Sequence, residues 1–391
     1  MPRSVQPDRW LFSVTVALCL IGAVMVFSAS AVMARETYGN GYAFLLRQVA
    51  WLALGFGGMF ALMNLDYRKL RHPAVIFTSL AVVLLMLVAV FFLDRSHATH
   101  RWIRFGPVGI QPSELAKLVV ILYLAWFLEM RGGTGEGRPE SAGENRRLRR
   151  ARAPRERPVP GGINDFLGTL LPAMAPVLLF VGLVVMQPDL GTSVDIFLIS
   201  LAMLFVAGLS PVYLLGAAAA AIPAIYLLIV RVPYRYQRVT AFLNPEADPQ
   251  GSGFQMLQSL IAVGSGGFVG VGLMESRQKL FYLPEAHTDF IYAVLCEELG
   301  FIGGLAVLVL FGIYGWRGVR AALAAPDDFG RYIGLGVTVM VVGQALINLS
   351  VVLGLMPTKG IPLPFISYGG SSLLVMLLAT GVLLNISQHA E

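Results

Sequence analysis

Again and again along this chain, about twenty consecutive residues pass with almost no charge, and that spacing limits what it can fold into. A helix needs roughly 20 apolar residues to cross the hydrocarbon core of a bilayer. Runs of that kind lie at roughly 10–32, 44–64, 74–93, 113–130, 165–187, 192–209, 211–231, 290–315, 332–355 and 368–387. Of the 391 residues, 56% are hydrophobic and only 13% charged, too few charges for a water-facing surface of this size. The expected fold is therefore an all-α polytopic membrane protein with about ten transmembrane helices, a single integral domain over 1–391. The first run is too long for a cleavable signal peptide and lacks a small-residue cleavage site. Cys19 and Cys296 both lie in apolar runs and are too few for a disulfide framework.

An even number of crossings puts both termini on one side. Lys and Arg accumulate in cytoplasmic loops, and placing the N-terminus inside gives that side Arg3, Arg9, Arg68, Lys69, Arg71, Arg317, Arg320, Arg331 and the arginines of 131–164. Both termini are thus expected in the cytoplasm. Segment 131–164 is rich in Gly, Pro and Arg and shows no apolar periodicity. It reads as a disordered basic cytoplasmic loop resting on anionic headgroups. The net charge of +6 sits largely there and at membrane edges, so it is no nucleic-acid signature.

Against that bias, positive charge also gathers on the outer side, within 95–117, 231–238 and 277–279. A single arginine there can snorkel to the interface. Three clusters point to an outward site for something anionic. The segment 232–289 is the largest extracytoplasmic loop. Its centre, Phe254–Gly272, is apolar but broken by Gly264, Gly266, Gly267, Gly270 and Gly272. That is too interrupted for a span and too greasy for open solvent, so an interfacial or re-entrant helix is expected.

The stretch QKLFYLPEAHTDFIYAVLCEELG, Gln278–Gly300, concentrates the chemistry. Asp289 stands at the mouth of a spanning helix with Glu285 and His287 within a turn. An ionisable group at the hydrocarbon edge is costly, which makes it a functional candidate, although capping of the first helical turn explains it equally well. Lys279 lies at the head of this stretch, and Glu297 and Glu298 lie two turns further in, where buried structural partners are expected. In MQPDLGTSVD, Met186–Asp195, the turn is so short that Gln187, Asp189 and Thr192 must lie near membrane depth. Asp189 and Asp195 therefore need cationic partners, a scaffold role. Glu114 and Lys117 fall one turn apart on the fourth span. The last outer loop, Leu355–Ser372, has three prolines and three glycines around Lys359, and such backbone at this depth must line a cavity. No metal-ligand spacing, phosphate loop or Ser/His/Asp order is present.

Taken together, HRWIRFG (100–106), IQPSELAKL (110–118), QPDLGTS (187–193), QKLFYLPEAHTDFI (278–291) with CEELG (296–300), and PTKGIPLPFISYGGSSL (357–373) resemble the SEDS family of bacterial cell-wall synthesis. The likeness runs through nearly the whole chain in order, and the PTKG and YLPEAHTDF forms resemble the division branch more than the elongation branch. It implies a ten-span peptidoglycan glycosyltransferase of the bacterial inner membrane that joins lipid II units into glycan strands. The family's essential aspartate falls on Asp289, its arginine–tryptophan loop on Arg101 and Trp102, and its threonine–lysine–glycine loop on Lys359. Phe281 departs from the pattern, because some division members carry a glutamate there, and Glu285 is the nearest substitute. The implied partners are lipid II, the nascent strand, a class B penicillin-binding transpeptidase and small bitopic division proteins.

The residues fit that chemistry. A sugar hydroxyl attacking an anomeric carbon needs a base, and a partly buried carboxylate is tuned for it. The departing lipid pyrophosphate needs cations in a low-dielectric cleft, for which Arg101, Lys359, Arg235, Arg238 and Lys279 are the candidates, beside Trp102, Glu285 and His287. A divalent cation, Mg2+ or Mn2+, would also suit the pyrophosphate, though no cage for it is legible. Two rivals remain: a transporter that flips lipid II, which intramembrane Asp189, Asp195, Glu297 and Glu298 would suit, and a non-catalytic scaffold. The concentration of polar residues at one face favours the enzyme.

Overall fold

The structure, a computed structural model, describes residues 6–94, 100–105, 108–132 and 162–389. Most of the basic segment 131–164 lies outside the described residues. The helices are α1 (Arg9–Tyr38), α2 (Ala43–Asn64), α3 (Pro73–Leu93), α4 (Pro112–Gly132), α5 (Leu171–Met186), α6 (Leu190–Val206), α7 (Pro211–Val230), α8 (Pro233–Leu243), α9 (Phe254–Ser265), α10 (Ile291–Leu323), α11 (Asp328–Val352) and α12 (Gly370–Gln388). Eight are long and apolar enough to span a membrane, α5 with the π-turn that precedes it. The seventeen-residue α6 and the charge-bearing α4 complete the ten expected spans. Several boundaries fall outside the apolar runs, because caps rather than hydrophobicity end a helix: Asp8 accepts from Leu11 N–H (3.0 Å), Asp189 from Thr192 N–H (3.2 Å) and Asp327 from Gly330 N–H (2.7 Å).

The spans alternate in direction, which sorts the loops onto two faces. On one face Asp8 N–H donates to Ser387 Oγ (3.1 Å), so the two ends of the bundle meet. The same face carries Arg317 Nε to Asp8 Oδ2 (2.8 Å), Arg68 to Asp327 (3.2 Å) and Arg71 to Glu129 (2.9 Å). The opposite face gathers the loop after α3, the α5–α6 turn, α8 and the loop before α12. Helices α11 and α12 are sunk among the others, whereas α7 has no buried residue. One element was not expected: a short antiparallel hairpin, β1 (Ile103–Phe105) with β2 (Val108–Ile110), shapes the loop before α4.

The segment 254–272 divides in two. Its first half is α9, packed on α10. Its second half is a glycine-rich run of turns that enters a break in α10 at Gly300, whose φ of 66° and ψ of −165° are open to glycine but not to side-chain-bearing residues. There Val271 and Gly272 N–H donate to the carbonyls of Glu297 (3.0 Å) and Glu298 (3.1 Å), while Phe301 and Ile302 N–H donate to Gly267 O (2.8 Å) and Phe268 O (3.2 Å). The peptide groups opened by the break are satisfied within the protein, the condition for irregular backbone in hydrocarbon. The approach leaves no room for side chains: a Cβ on Gly266 would lie 2.0 Å from Cys296 O, and one on Gly270 2.1 Å from Glu298 O.

Candidate active site

Asp289 ends the loop that leads into α10. Capping does not explain it: the N-cap position is Phe290, which has no side-chain cap bond. The main chain of Asp289 is held instead, its carbonyl accepting from Asn348 Nδ2 of α11 (2.8 Å). Neighbouring residues are fixed in the same way, as Ser367 Oγ donates to Thr288 O (2.6 Å) and Tyr368 N–H to His287 O (3.0 Å). The carboxylate itself receives no hydrogen bond from any described residue. Burial pushes it up to about 7; Glu285 and Asp189 add to the rise, and Arg238 and Arg101 oppose it.

The loop bearing Lys359 closes over this carboxylate. A Cβ on Gly360 would stand 3.1 Å from Asp289 Oδ2, so glycine lets the backbone lie against the acid. Lys359 is half-buried and forms no ion pair within 4 Å among the described residues; burial holds its ammonium below the usual lysine range, opposed by Asp195. Arg238 of α8 stacks on Tyr234 (4.4 Å) and donates to Thr358 O (3.2 Å), which brings a second cation over the same loop.

Arg101 donates to Gln187 O (3.2 Å) and to Pro188 O, joining the loop after α3 to the α5–α6 turn. Asp94, at the end of α3, accepts from the N–H groups of Arg101 (3.1 Å) and Trp102 (3.2 Å), and the Trp102 ring lies over Gly109 of the hairpin. Gln187 Nε2 donates to Leu87 O (2.9 Å). Asp189 accepts from Gln111 Nε2 (3.0 Å) and Thr192 Oγ1 (2.9 Å), so its partners are an amide, a hydroxyl and a backbone N–H in place of the expected cation.

Other residues sit elsewhere. Lys279, expected on the pyrophosphate, is buried against Glu298 (2.8 Å) because its segment folds back along α10. Glu297 accepts from Ser276 Oγ and from Arg277 N–H (3.0 Å). Arg235, also expected at the anion, turns back to Leu228 O at the end of α7 (3.1 Å). The His287 ring packs between Phe44 (5.0 Å) and Tyr368 (5.8 Å), where burial lowers its basicity. Glu285, exposed and at φ 54°, accepts from Thr288 Oγ1 (2.8 Å). Glu114 and Lys117 (2.9 Å) join Asp195 (3.5 Å) and Gln344 (2.5 Å) in a buried polar knot between α4, α6 and α11.

Sequence reasoning missed Gln344, Asn348 and Asp94. The signal was available: two amides four residues apart in an apolar span face the same side and need partners there. Among the described residues no group of three or more His, Cys, Asp or Glu could hold a metal ion.

An all-α, multi-pass membrane protein with a carboxylate and cations gathered at one face is the class that fold and site define. The chain belongs to the FtsW/RodA/SpoVE family, described as cell cycle proteins, whose model matches residues 9–391. It is 41% identical over 386 residues to a probable peptidoglycan glycosyltransferase FtsW of Trichlorobacter lovleyi, covering 98% of this chain and 94% of that one. It is 40% identical to stage V sporulation protein E of Bacillus subtilis, covering 100% and 99%. Among solved structures it is similar to a chain from work on structural coordination of polymerization and crosslinking by a peptidoglycan synthase complex (TM-score 0.73, 32% identity, 97% of both chains). It is also similar to the rod shape determining protein RodA of Thermus thermophilus (TM-score 0.65, 29% identity, 97% and 96%).

Proposed function

We propose that this chain is a peptidoglycan glycosyltransferase that joins lipid II units into β-1,4 glycan strands, of the septal, division type. The observation that carries this reading is a carboxylate at the mouth of α10 with no hydrogen-bond donor among the described residues, pushed up to about 7 by burial and roofed by the loop of Lys359. Asp289 takes the proton from the acceptor's 4-hydroxyl as that oxygen bonds to the donor's anomeric carbon. The bond from that carbon to the pyrophosphate oxygen breaks with inversion, and its electron pair leaves with undecaprenyl pyrophosphate. Lys359, Arg238 and Arg101 stabilise the charge that develops there. Tyr368 and Phe44 hold His287 as part of the loop's frame, and Trp102 and Glu285 complete the rim.

The face carrying Asp289 is extracytoplasmic in this reading, in the bacterial inner membrane with both termini cytoplasmic. A class B penicillin-binding transpeptidase is the partner that would crosslink the product, and small bitopic division proteins would join them. The transporter reading loses support from partnering: Asp189, Asp195, Glu297 and Glu298 are each tied to neighbours. Labelled lipid II in detergent, where sidedness vanishes, tests the proposal with and without the transpeptidase. Polymer that disappears in Asp289→Ala is the expected result. Polymer undiminished in that variant would refute Asp289 as the base, and no polymer under any condition would revive the transporter.

A further inference from the structure

Two buried amides of α11, Gln344 and Asn348, stand one helical turn apart and reach the same loop. Gln344 Nε2 donates to Pro362 O (2.8 Å) and Asn348 Nδ2 to Ile361 O (2.8 Å). Asn348 spends its second hydrogen on Asp289 O (2.8 Å). Both partners are carbonyls, which only accept, so the network itself fixes which end of the amide is nitrogen. One side chain thereby couples the backbone of the acid to that of the Lys359 loop. Gln344 Oε1 accepts from Lys117 Nζ, and its Nε2 reaches the loop but not Asp289.

We propose that Asn348 is a positioning residue for the transferase reaction, setting the distance between the Asp289 carboxylate and the cationic loop above it. The inference rests on the reading of Asp289 as the base. Asn348 is 1% exposed and its Oδ1 has no partner among the described residues, a cost set against the two carbonyls that its Nδ2 satisfies. What the amide adds is two bonds to two different segments. Displacing reacting groups by about 1 Å can cost on the order of 100-fold in rate.

The test uses the full-length protein and labelled lipid II in detergent. Asn348→Leu keeps the branched shape of the side chain, though it is larger, and removes both donors; kcat should fall about 30- to 100-fold while KM stays within about threefold. The acid limb of the pH–kcat profile should move to lower pH, because a loosened loop admits water to Asp289. The charges acting on that carboxylate are Glu285, Asp189, Arg238 and Arg101, all unchanged by the substitution. Asn348→Ser, which restores one donor, should recover part of the rate. Gln344→Leu frees Pro362 O and removes an acceptor from Lys117, but the Asn348 link between Asp289 and the loop stays, so the acid limb should remain in place. Wild-type kcat in Asn348→Leu would overturn the proposal. So would a loss matched by Gln344→Leu, with the acid limb fixed and the melting temperature lowered alike in both. If Asp289→Asn polymerises normally, the base assignment falls; if that variant is inactive and Asn348→Leu is normal, only the positioning role falls.

Discussion

The Lys279 ammonium stands 2.8 Å from Glu298 Oε1, with Ser28 Oγ of α1 accepting from the same nitrogen at 3.1 Å. The three groups tie α1, α10 and the segment before Asp289 together in the membrane interior. Removing one member strands a charge, which costs about 3–5 kcal/mol, whereas replacing both with apolar residues is far milder. Glu298→Leu alone should sharply lower the melting temperature in detergent, and Lys279→Met with Glu298→Leu should restore most of it. The double variant should keep its lipid II affinity. A folded double variant that no longer binds lipid II would put Lys279 in the substrate site.

The rate should follow the ionisation of Asp289. A base raised to about 7 is active above that pH, so log kcat should fall with unit slope below it. Glu285 contributes to the rise, and Glu285→Gln should move the acid limb to lower pH. The shift should be a few tenths of a unit, because Glu285 is exposed and water screens it. Polymerisation measured from pH 5 to 9 checks both statements; an upward shift would refute the electrostatic account.

The same residue should trade stability for activity. Its acid form is favoured in the folded protein, so folding binds a proton between the ordinary aspartate range and about 7, and stability falls as pH rises through that window. At pH 8, Asp289→Asn should be inactive yet more stable than the parent, by on the order of 1 kcal/mol given the site's partial exposure. At pH 4 the difference should vanish. Melting curves at the two values decide it.

Gly300→Ala should be among the most damaging single changes. Its backbone occupies a region open only to glycine, and an added Cβ would meet Gly270 N at 2.4 Å. The two effects together should cost on the order of 3 kcal/mol or more. Gly312→Ala, in the same helix with nothing within 4 Å, is the control and should be nearly silent or slightly stabilising. Equal melting temperatures for the two variants would show that the break is not needed.

How far the sequence reveals this molecule depends on how local each constraint is. The bilayer acts on every span separately, so ten apolar runs disclose ten helices, whereas Asp289 at a span mouth reads equally as a cap until the structure puts the N-cap at Phe290. Pairings across the fold are another matter. Lys279 and Arg235 look like anion ligands because they are cations near the site, yet one turns inward to Glu298 and the other back to Leu228 O. Glu114 and Lys117 announce their own pair by spacing, but nothing in the string of letters brings Asp195 to it. The break at Gly300 is hidden too, since a lone glycine in an apolar run reads the same in a straight helix as in an interrupted one.

That interruption bears on how the protein is made. Residues 267–272 leave the ribosome before 297–302, so the segment that must satisfy the open peptide groups of α10 is already synthesised when those groups reach the lipid. Were the order reversed, bare carbonyls would enter oil with nothing to receive them. The sequence of synthesis is therefore part of the design, and a permuted gene that delivers α10 first should yield protein that is degraded rather than inserted.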